Sequence, residues 1–403
     1  MLDPVAIHRY LTFSFVPSND DPFGRIHERI DPRFADESLA IAAVDACARE
    51  AVRSRLPDGP VGLFLSGGLD SSAVAVWLRE LGADVRAFSL DFGDASVERD
   101  EAKAVADHLG IPLTWVPCDG EILAPRVLDL ARRLRSPFGD AVTGPQLLLN
   151  EAARSAGLTA VFNGEGGDQL FGGWTNKPMI AASLFDADNE TLETMYLRSY
   201  HRFHGLERDL YTAEFLANIG NELDCRPLLA PYLSGDRATT FLGKLRLADL
   251  YLKGTGNIIP RMNAIAESCG LALKAPLFDR ELTELAFRLP TRMKLRGNVE
   301  KVILKELMRG RLPASIVDRQ KSGMCVPVTD WLFGPMRSVV DDFLGDATIR
   351  RRGLFRPEYV AKLRRGEDEP NETRRRRIGE KLWTLLMLEA WMRVFIDGGG
   401  HGP

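Results

Sequence analysis

Residues 61–75 read VGLFLSGGLDSSAVA, and this stretch decides the fold expected for the chain. Its first part, Val61–Leu65, has the length and the apolar character of a buried strand. From Ser71 onward the apolar residues recur at helical spacing, and Ser71 and Ser72 lie where first-turn helix residues belong. The intervening Gly67–Gly68 permits a sharp turn and places no side chain over the start of the helix. The N–H groups of such a helix start suit an anion such as pyrophosphate, although a bare Gly-Gly turn also occurs in ordinary strand–helix connections.

The composition indicates a globular protein without a nucleic-acid or membrane partner. The chain has 403 residues, which is enough for two domains with a core each. A net charge of −4 and a pI near 6.0 provide no electrostatic footprint for nucleic acid or an anionic membrane. No window reaches the roughly 18 continuous apolar residues of a membrane span, and the first ten residues show no secretion signal. The five cysteines are far apart and never form a CxxC pair, so we expect a cytoplasmic protein without disulfides or a zinc site.

Strand and helix patterns alternate between about residue 60 and residue 175. Repeated alternation predicts an α/β fold with a doubly wound parallel sheet, in which ligands bind at the carboxyl ends of the strands. Ser66, Leu90 and Gly164 fall at the ends of three predicted strands. The predicted strands are Val61–Leu65, Val85–Phe92, Leu113–Val116 and Thr159–Asn163, and the later helices of this part are Arg99–His108, Glu121–Arg135 and Gly144–Ala156.

The strand signals fade after Trp174, and the remaining sequence is mainly α-helical in pattern. We therefore divide the chain into an N-terminal segment (1–36), a nucleotide-binding α/β part (37–175), a helical part (176–397) and a tail (398–403). The N-terminal segment is aromatic and proline-rich, with a short helix expected at Pro4–Leu11. Helical spacing in the second half is found at Met179–Arg202, Ala238–Leu252, Asp279–Arg288, Val299–Met308 and Leu382–Phe395.

A second glycine cluster closes the α/β part. Residues 161–174 read VFNGEGGDQLFGGW, follow the last predicted strand and contain Glu165 and Asp168. Mg²⁺ in nucleotide sites is held by one or two carboxylates together with phosphate oxygens. Asp70 of the first loop and Asp168 of the second are therefore candidate Mg²⁺ ligands. Turn formation alone is the alternative explanation for two glycine-rich loops.

These two loops resemble the motifs of a known family. Ser66–Ser72 (SGGLDSS) resembles the pyrophosphate loop of the N-type ATP pyrophosphatases, and residues 161–174 resemble the SGEGxDELFGGY segment of asparagine synthetases. The resemblance covers about residues 40–395 and implies the synthetase fold of that family. Further matching segments follow in the family's order: Ala87–Phe92 (AFSLDF), Ser136–Asp140 (SPFGD), Lys274–Asp279 (KAPLFD), Glu300–Gly323 and Leu382–Trp391.

The resemblance implies a reaction that consumes ATP. In the family, Mg²⁺-ATP adenylates a carboxylate, pyrophosphate leaves, and a nitrogen nucleophile displaces AMP. On this chain the pyrophosphate would lie on the Ser66–Ser71 loop, with the nucleoside near Leu65, Leu90 and Gly164. Mg²⁺ would be bound by the two aspartates of the glycine-rich loops.

The resemblance also assigns the catalytic residues. Lys321 would stabilise charge that builds first at the α-phosphate and later on the tetrahedral intermediate. Glu165 would take the proton of the incoming nitrogen. Lys301 matches another lysine of the family, but its helical spacing with Lys305 is equally typical of a solvated helix face.

The nitrogen source is expected to differ from that of the complete family pattern. Asparagine synthetases begin with a glutaminase domain whose nucleophile is a cysteine directly after the initiator Met, whereas residue 2 here is Leu. Tyr10–Pro17 (YLTFSFVP) resembles the strand and linker that end that domain, so the N-terminal segment is interpreted as a remnant of it. Ammonia or an amine would then arrive directly or from a separate glutaminase chain.

Three other positions depart from the family pattern at the edges of the expected site. Asn263–Leu271 (NAIAESCGL) stands where the family reads DRMSMAHGL beside the acceptor pocket, so aspartate is not implied as the acceptor. Asp91 and Asn163 replace Gly and Ser at the nucleotide edge.

The leading hypothesis is an amide-forming ligase that joins a small-molecule or peptide carboxylate to ammonia or an amine. An intramolecular cyclase is the alternative: lactam-forming relatives place Tyr where Glu165 stands, which argues against that type, whereas a lasso-peptide cyclase stays open. A non-catalytic nucleotide-binding partner subunit is disfavoured by the intact Ser66–Ser71 loop, Asp168, Glu165 and Lys321. The acceptor, the nitrogen donor and association into a homo-oligomer are left open.

Overall fold

The central feature of the fold is a parallel sheet of five strands with the order β3-β2-β1-β4-β5. In the computed structural model, residues 3–18, 21–173, 191–200, 202–319, 326–367 and 372–398 are described. The strands are β1 (Val61–Phe64), β2 (Val85–Asp91), β3 (Leu113–Pro117), β4 (Ala160–Phe162) and β5 (Ala272–Lys274). The predicted doubly wound parallel sheet is confirmed, and β5 adds a strand that the sequence pattern did not predict.

The strand order creates a switch point between β1 and β4. The chain adds β2 and β3 on one side of β1 and then returns to add β4 and β5 on the other side. In the register of this pair, Gly62 lies beside Val161 and Leu63 beside Phe162. Connections after β1 and β4 therefore diverge at the carboxyl edge of the sheet, where doubly wound folds bind their ligands. Both glycine-rich loops follow these two strands.

Helices cover both faces of the sheet and form most of the second half of the chain. Those of the first half are Pro4–Phe13, Glu37–Arg53, Leu69–Glu80, Arg99–Leu109, Gly120–Leu123, Val127–Arg133, Thr143–Ser155 and Gly167–Phe171. Those of the second half are Leu192–Ser199, Glu207–Leu210, Ala213–Ile219, Ala230–Leu233, Phe241–Ala248, Ile259–Ser268, Arg280–Ala286, Thr291–Lys294, Val302–Met308, Ala314–Val317, Val328–Phe333, Arg337–Phe343, Asp346–Arg352, Pro357–Arg365 and Glu372–Met392. None of the helices in these ranges combines the length and the hydropathy that a bilayer span requires.

Two predicted helices are interrupted in the structure. The helix expected at Glu121–Arg135 is divided by a 3₁₀ turn at Ala124–Arg126, because Pro125 cannot donate a helical hydrogen bond. The helix expected at Ala238–Leu252 is α-helical over Phe241–Ala248 and continues as a π-helix over Asp249–Ile258. Such π segments occur preferentially at functional sites, and this one borders the cavity described below.

The N-terminal segment begins with the short helix expected at Pro4–Leu11. Asp3 accepts a hydrogen bond from the N–H of Val5, and this cap with Pro4 at the first position starts a helix that extends to Phe13. Tyr10–Phe13 is therefore helical, so the helix expected at Pro4–Leu11 is confirmed and ends two residues later, while the likeness of Tyr10–Pro17 to the end of a glutaminase domain stays a prediction. The Tyr10 hydroxyl donates to the carbonyl of Thr384 at 2.8 Å, which ties this segment to the last long helix.

One large hydrophobic core includes residues from the N-terminal segment, the α/β part and the helical part. Tyr10, Leu147 and Trp383 are buried members of it. A second core, which contains Val74 and Ile303, packs helix Leu69–Glu80 against the helices Glu37–Arg53 and Val302–Met308. The division of the chain at residues 36, 175 and 397 stays a prediction.

Candidate active site

A cavity of about 420 Å³ opens at the carboxyl ends of β1, β2 and β4. It brings together most of the side chains and loop residues predicted for the site. Ser72 does not line the cavity, and Lys321 lies outside the described residues. The predicted residues that line it are Leu65, Ser66, Gly67, Gly68, Asp70, Ser71, Leu90, Gly164, Glu165, Asp168 and Lys301.

The first loop is held by its own hydroxyl groups. Helix Leu69–Glu80 begins after Gly68, and the Ser71 and Ser72 hydroxyls donate to the Gly68 carbonyl at 3.2 and 2.8 Å. The Ser66 N–H donates to the Ser71 hydroxyl at 3.2 Å. Ser72 is fully buried, so its hydroxyl supports the turn and a nucleotide contact for it stays a prediction. Helix-start N–H groups at this edge suit a phosphate anion.

Gly67 is the residue of the first loop that requires the absence of a side chain. Its φ of +78° lies in the left-handed region, and an added Cβ would be 2.7 Å from Cβ of Glu101. The loop therefore packs closely against helix Arg99–Leu109. A larger residue at position 67 would separate this helix from the loop.

The second loop approaches the first so closely that their backbones touch. A Cβ on Gly164 would be 2.7 Å from the carbonyl carbon of Asp70 and from Cα of Ser71. Added Cβ atoms on Gly167 and Gly173 would overlap the carboxyl groups of Asp70 and Asp168. Glycine at these positions lets the two aspartates converge.

We expect Gly164→Ala to destabilise the protein by about 1–3 kcal/mol, because the backbone atoms of Asp70 and Ser71 cannot move aside for the new methyl group. Urea unfolding followed by circular dichroism measures this change. Gly68→Ala is the matched control in the same site: its backbone angles suit alanine, and the nearest atom to a new Cβ is the Ser66 hydroxyl oxygen at 3.2 Å. Equal losses in both variants would contradict the close approach of the two loops.

Lys301 lies between the two predicted metal ligands. Its Nζ is 2.5 Å from Oδ2 of Asp70 and 2.6 Å from Oδ1 of Asp168. The residue is only 3% exposed, which excludes the solvated helix face that its spacing with Lys305 permitted. Burial alone would lower the pKa of Lys301, but the charges of Asp168 and Asp70 raise it above its ordinary value.

The carboxylates of this ion pair could bind a Mg²⁺ ion that is also coordinated by phosphate groups. Oδ1 of Asp70 is buried, and no group in the described ranges donates a hydrogen bond to it. Within those ranges no cluster of three or more His, Cys, Asp or Glu side chains has metal-site geometry. Two carboxylates completed by phosphate oxygens and water are a usual Mg²⁺ environment. The donor set of Asp70 and Asp168 is therefore suitable for Mg²⁺ bound to a nucleotide.

A buried arginine holds the main chain of the second loop in place. Arg246 donates to the main-chain carbonyl of Asp168, and its Nη2 is 2.6 Å from Oδ2 of Asp249. Oδ1 of Asp249 accepts a hydrogen bond from the Tyr196 hydroxyl at 2.6 Å. This buried chain of contacts fixes the main chain of Asp168 from the helical part of the molecule.

The main chain of Glu165 is held by Asn163, one of the residues that depart from the family pattern. Its N–H donates to Oδ1 of Asn163 at 3.2 Å, and the Asn163 amide donates to the sulfur of Met262 at 3.1 Å. Asn163 is buried, so it holds the start of the second loop against helix Ile259–Ser268. The replacement of the family's Ser by Asn therefore has a structural explanation.

Asp91, the other departure at this edge, closes a short loop beside the cavity. Its carboxylate accepts hydrogen bonds from the Gly93 N–H at 3.0 Å, from the Ser96 hydroxyl at 3.3 Å and from Arg99 at 2.9 Å. These contacts hold the segment after β2, whose residues Ser96 and Arg99 line the cavity. The Asp91 carboxylate therefore stabilises this loop through hydrogen bonds.

The cavity lining also includes charged residues for which the sequence predicted no role. Arg261 is almost fully buried, and its Nη1 is 2.7 Å from Oδ2 of Asp140. Lys253, on the π-helix, also lines the cavity. Burial alone would raise the pKa of Asp140, but the charges of Arg261 and Lys253 lower it to about 2. Asp140 ends the segment SPFGD that the family motif identified, but no role followed from that match.

The Asp140 pair makes a prediction about stability and pH. Because its folded-state pKa of about 2 lies below the ordinary 3.8, the ionised carboxylate stabilises the fold above pH 3.8, and this contribution disappears as the pH falls toward 2. We expect Asp140→Asn to lose on the order of 2 kcal/mol of unfolding free energy at pH 7. Urea unfolding at several pH values should show the difference from the unmodified chain shrinking below about pH 4. The exposed Asp84→Asn is the control, and a difference that grows in acid would contradict the assignment.

The segment that contains Lys321 begins at a well-anchored residue. Arg319 lines the cavity, and its guanidinium is 3.5 Å from Glu98 and 3.4 Å from Glu101. Its carbonyl accepts a hydrogen bond from Nζ of Lys305 at 3.1 Å. Arg319 is the last described residue before Lys321, which follows two positions later in the sequence.

A family model and several known proteins match this chain. The family model described as asparagine synthase matches residues 43–393. Asparagine synthetase (glutamine-hydrolyzing) 1 of Bacillus subtilis is 22% identical over 456 residues, covering 98% of this chain and 70% of the relative. A putative asparagine synthetase (glutamine-hydrolyzing) of Mycobacterium tuberculosis is 24% identical, covering 91% of this chain and 60% of the relative.

A relative with another name matches less of the chain. The amidase chry2 of Gibberella zeae is 24% identical, covering 76% of this chain and 55% of the relative. This chain therefore spans between 55% and 70% of the length of the three relatives.

Proposed function

Because this chain belongs to the asparagine synthase family, we propose that it is an ATP-dependent amide-forming ligase. It would adenylate a carboxylate with Mg²⁺-ATP, release pyrophosphate, and join the acyl group to ammonia or an amine with release of AMP. The observation that carries the proposal is the convergence of Asp70, Asp168 and Lys301 beside a glycine-rich helix start at the switch point of the sheet.

The first loop supplies the binding site for the leaving pyrophosphate. The N–H groups at the start of helix Leu69–Glu80 carry the partial positive charge of the helix dipole. Gly67 and Gly68 place no side chain between these groups and the phosphates. Leu65, Leu90 and Gly164 line the part of the cavity where the nucleoside would lie. When bound, Mg²⁺ neutralises phosphate charge, and Asp70 and Asp168 would hold it.

Two side chains would act on the reacting centre. Lys321 would place its positive charge where negative charge develops at the α-phosphate. Glu165, whose loop is fixed through Asn163, would accept the proton of the attacking nitrogen. The acceptor carboxylate would contact the part of the cavity that is lined by Asp140, Arg261 and Lys253.

The identity of the nucleotide products tests this proposal. Incubation with ATP, MgCl₂, ammonium and a panel of amino acids and dicarboxylates is expected to yield AMP and pyrophosphate, detected by phosphorus NMR. Asp84→Asn protein serves as the matched control for activity. Formation of ADP and phosphate together with an amide would contradict the proposed reaction.

The nitrogen donor is proposed to be ammonia or an amine that arrives directly or from a separate glutaminase chain. Once a productive carboxylate is known, ammonium and glutamine can be compared as donors for the 403-residue chain. We expect amide formation with ammonium. An equal rate with glutamine alone would contradict this part of the proposal.

A further inference from the structure

The ammonium group of Lys301 occupies the space between the two carboxylates that are proposed to bind the metal. It contacts Oδ2 of Asp70 at 2.5 Å and Oδ1 of Asp168 at 2.6 Å, and its side chain is only 4% exposed. A divalent cation at this place would compete with the ammonium for the same carboxylate oxygens. The inference below rests on the proposed function, because it assumes that these aspartates receive the metal of a metal–nucleotide complex.

The backbone is arranged to hold Lys301 in this position. Its φ of 52° and ψ of 37° are left-handed, and Ser14 is the only other non-glycine residue with positive φ in the described ranges. Side-chain-bearing residues seldom adopt this conformation, and where they do the surrounding structure must enforce it. Here the hairpin of β6 (Leu295–Arg296) and β7 (Val299–Glu300) ends directly before Lys301, and helix Val302–Met308 begins directly after it. The strained residue is therefore clamped between two regular elements.

The charge balance explains what this arrangement does to a metal ion. Two carboxylates and one ammonium carry a single net negative charge, whereas the carboxylates alone would carry two. The bound ammonium also repels a second cation at close range, and this repulsion is strong in a buried site. The polyphosphate of a nucleotide adds negative charge beside the pair and offsets the repulsion.

We propose that Lys301 is the built-in counter-cation of Asp70 and Asp168 and keeps divalent cations out of the site until the nucleotide is bound. The metal would then enter only together with the nucleotide phosphates. Without such a block, a free divalent cation would fill the site first and fix the carboxylates before the phosphates arrive. Lys301 is in this sense a positioning residue, because it holds the two carboxylates together while no nucleotide is present.

Equilibrium binding of Mn²⁺, followed by the electron paramagnetic resonance signal of the free ion, tests the proposal without any turnover. In the absence of nucleotide, the unmodified chain is expected to bind Mn²⁺ weakly, and Lys301→Gln roughly tenfold or more tightly. Adding α,β-methylene-ATP should bring Mn²⁺ into the site of both proteins. The Asp70→Asn/Lys301→Gln double variant should lose the tighter Mn²⁺ binding of Lys301→Gln. This loss would assign the bound ion to the carboxylates of Asp70 and Asp168.

Lys305→Gln is the matched control, because Lys305 lies four residues further along the chain, in helix Val302–Met308, and its Nζ contacts the Arg319 carbonyl at 3.1 Å. It is expected to bind Mn²⁺ without nucleotide as weakly as the unmodified chain does. Lys301→Met serves as a second variant if thermal unfolding shows that Lys301→Gln is not folded. The measurement on the unmodified chain with and without α,β-methylene-ATP does not depend on either variant.

The outcomes separate this inference from the proposed function. Tight Mn²⁺ binding by the unmodified chain without nucleotide, or no gain in the folded Lys301 variants, would overturn the inference alone. Failure of α,β-methylene-ATP to bring Mn²⁺ to an Asp70-dependent site would overturn the proposed function and the inference with it.

Discussion

ATP turnover is expected to fall about a hundredfold or more when either Asp70 or Asp168 is replaced by asparagine. Both carboxylates lie within 2.6 Å of the Lys301 ammonium group, and both line the cavity. The amide retains the shape of the side chain but removes the negative charge that a divalent cation needs. The rate of pyrophosphate release, measured with a coupled assay, should decrease in both variants.

Each substitution also removes one partner of a buried ion pair, so stability has to be measured alongside the rate. Removing the partner of a buried charge typically costs about 3–5 kcal/mol, and the cost should be smaller here because Lys301 retains its other carboxylate. Asp45→Asn is the matched control. Oδ1 of Asp45 is 2.8 Å from both Arg311 and the Trp77 indole nitrogen, outside the cavity lining.

Asp45→Asn is expected to lose stability with little change in turnover. If it lost as much turnover as the Asp70 and Asp168 variants, their effects would reflect folding, and the metal assignment would lose its support. If the Asp70 and Asp168 variants kept full turnover while folded, the assignment itself would be wrong.

The sequence predicts the positions of the two glycine-rich loops well because its signals there are local. A strand, a glycine turn and a helix start are all contained in residues 61–75, and the structure has β1 at Val61–Phe64 and the helix at Leu69–Glu80. The second loop is equally local, since it directly follows β4. Strand order then places both loops at one edge of the sheet by the general rule for doubly wound folds.

The parts that the sequence does not predict depend on contacts between distant residues. β5 has only three residues, none of them buried, and it forms because its backbone pairs with β4. Asp140, in the loop before helix Thr143–Ser155, forms an ion pair with Arg261 of helix Ile259–Ser268, and neither residue has a local pattern that identifies the other. The position of Lys301 could not be decided from its helical spacing with Lys305, because burial depends on the carboxylates that it meets.

The π-helix at Asp249–Ile258 is another element that the spacing of apolar residues did not predict. Apolar spacing predicted an α-helix through Leu252, whereas the wider turn places Lys253 toward the cavity. Gly254 and Gly256 within this segment are the available signal that a regular helix is unfavourable there. Gly256 also permits close packing, because an added Cβ would be 2.7 Å from the ring of Phe15. The part of the cavity that Lys253 lines thus depends on an irregular element.

The second large effect is expected in the partial reactions of the Lys321 and Glu165 variants. A cation that faces the developing charge of the α-phosphate is needed for adenylate formation and for the later amide step. Lys321→Ala should therefore lose both by on the order of a hundredfold or more. Exchange of labelled pyrophosphate into ATP, in the presence of the acceptor carboxylate, reports adenylate formation alone. Lys103→Ala, which removes an exposed lysine paired with Asp107, is the control that should leave exchange unchanged.

Glu165→Gln should impair amide formation but not adenylate formation, because a base is required only when the nitrogen attacks. Its loop is fixed by the hydrogen bond from the Glu165 N–H to Asn163, and the substitution leaves this contact intact. Pyrophosphate exchange should therefore persist in Glu165→Gln while amide formation falls by roughly a hundredfold or more, the usual contribution of a general base. Retained exchange in the Lys321 variant and lost exchange in the Glu165 variant would show that the two roles are reversed. Equal loss of exchange in both would mean that Glu165 acts before the nitrogen arrives, because a base that serves only the second step cannot change the first.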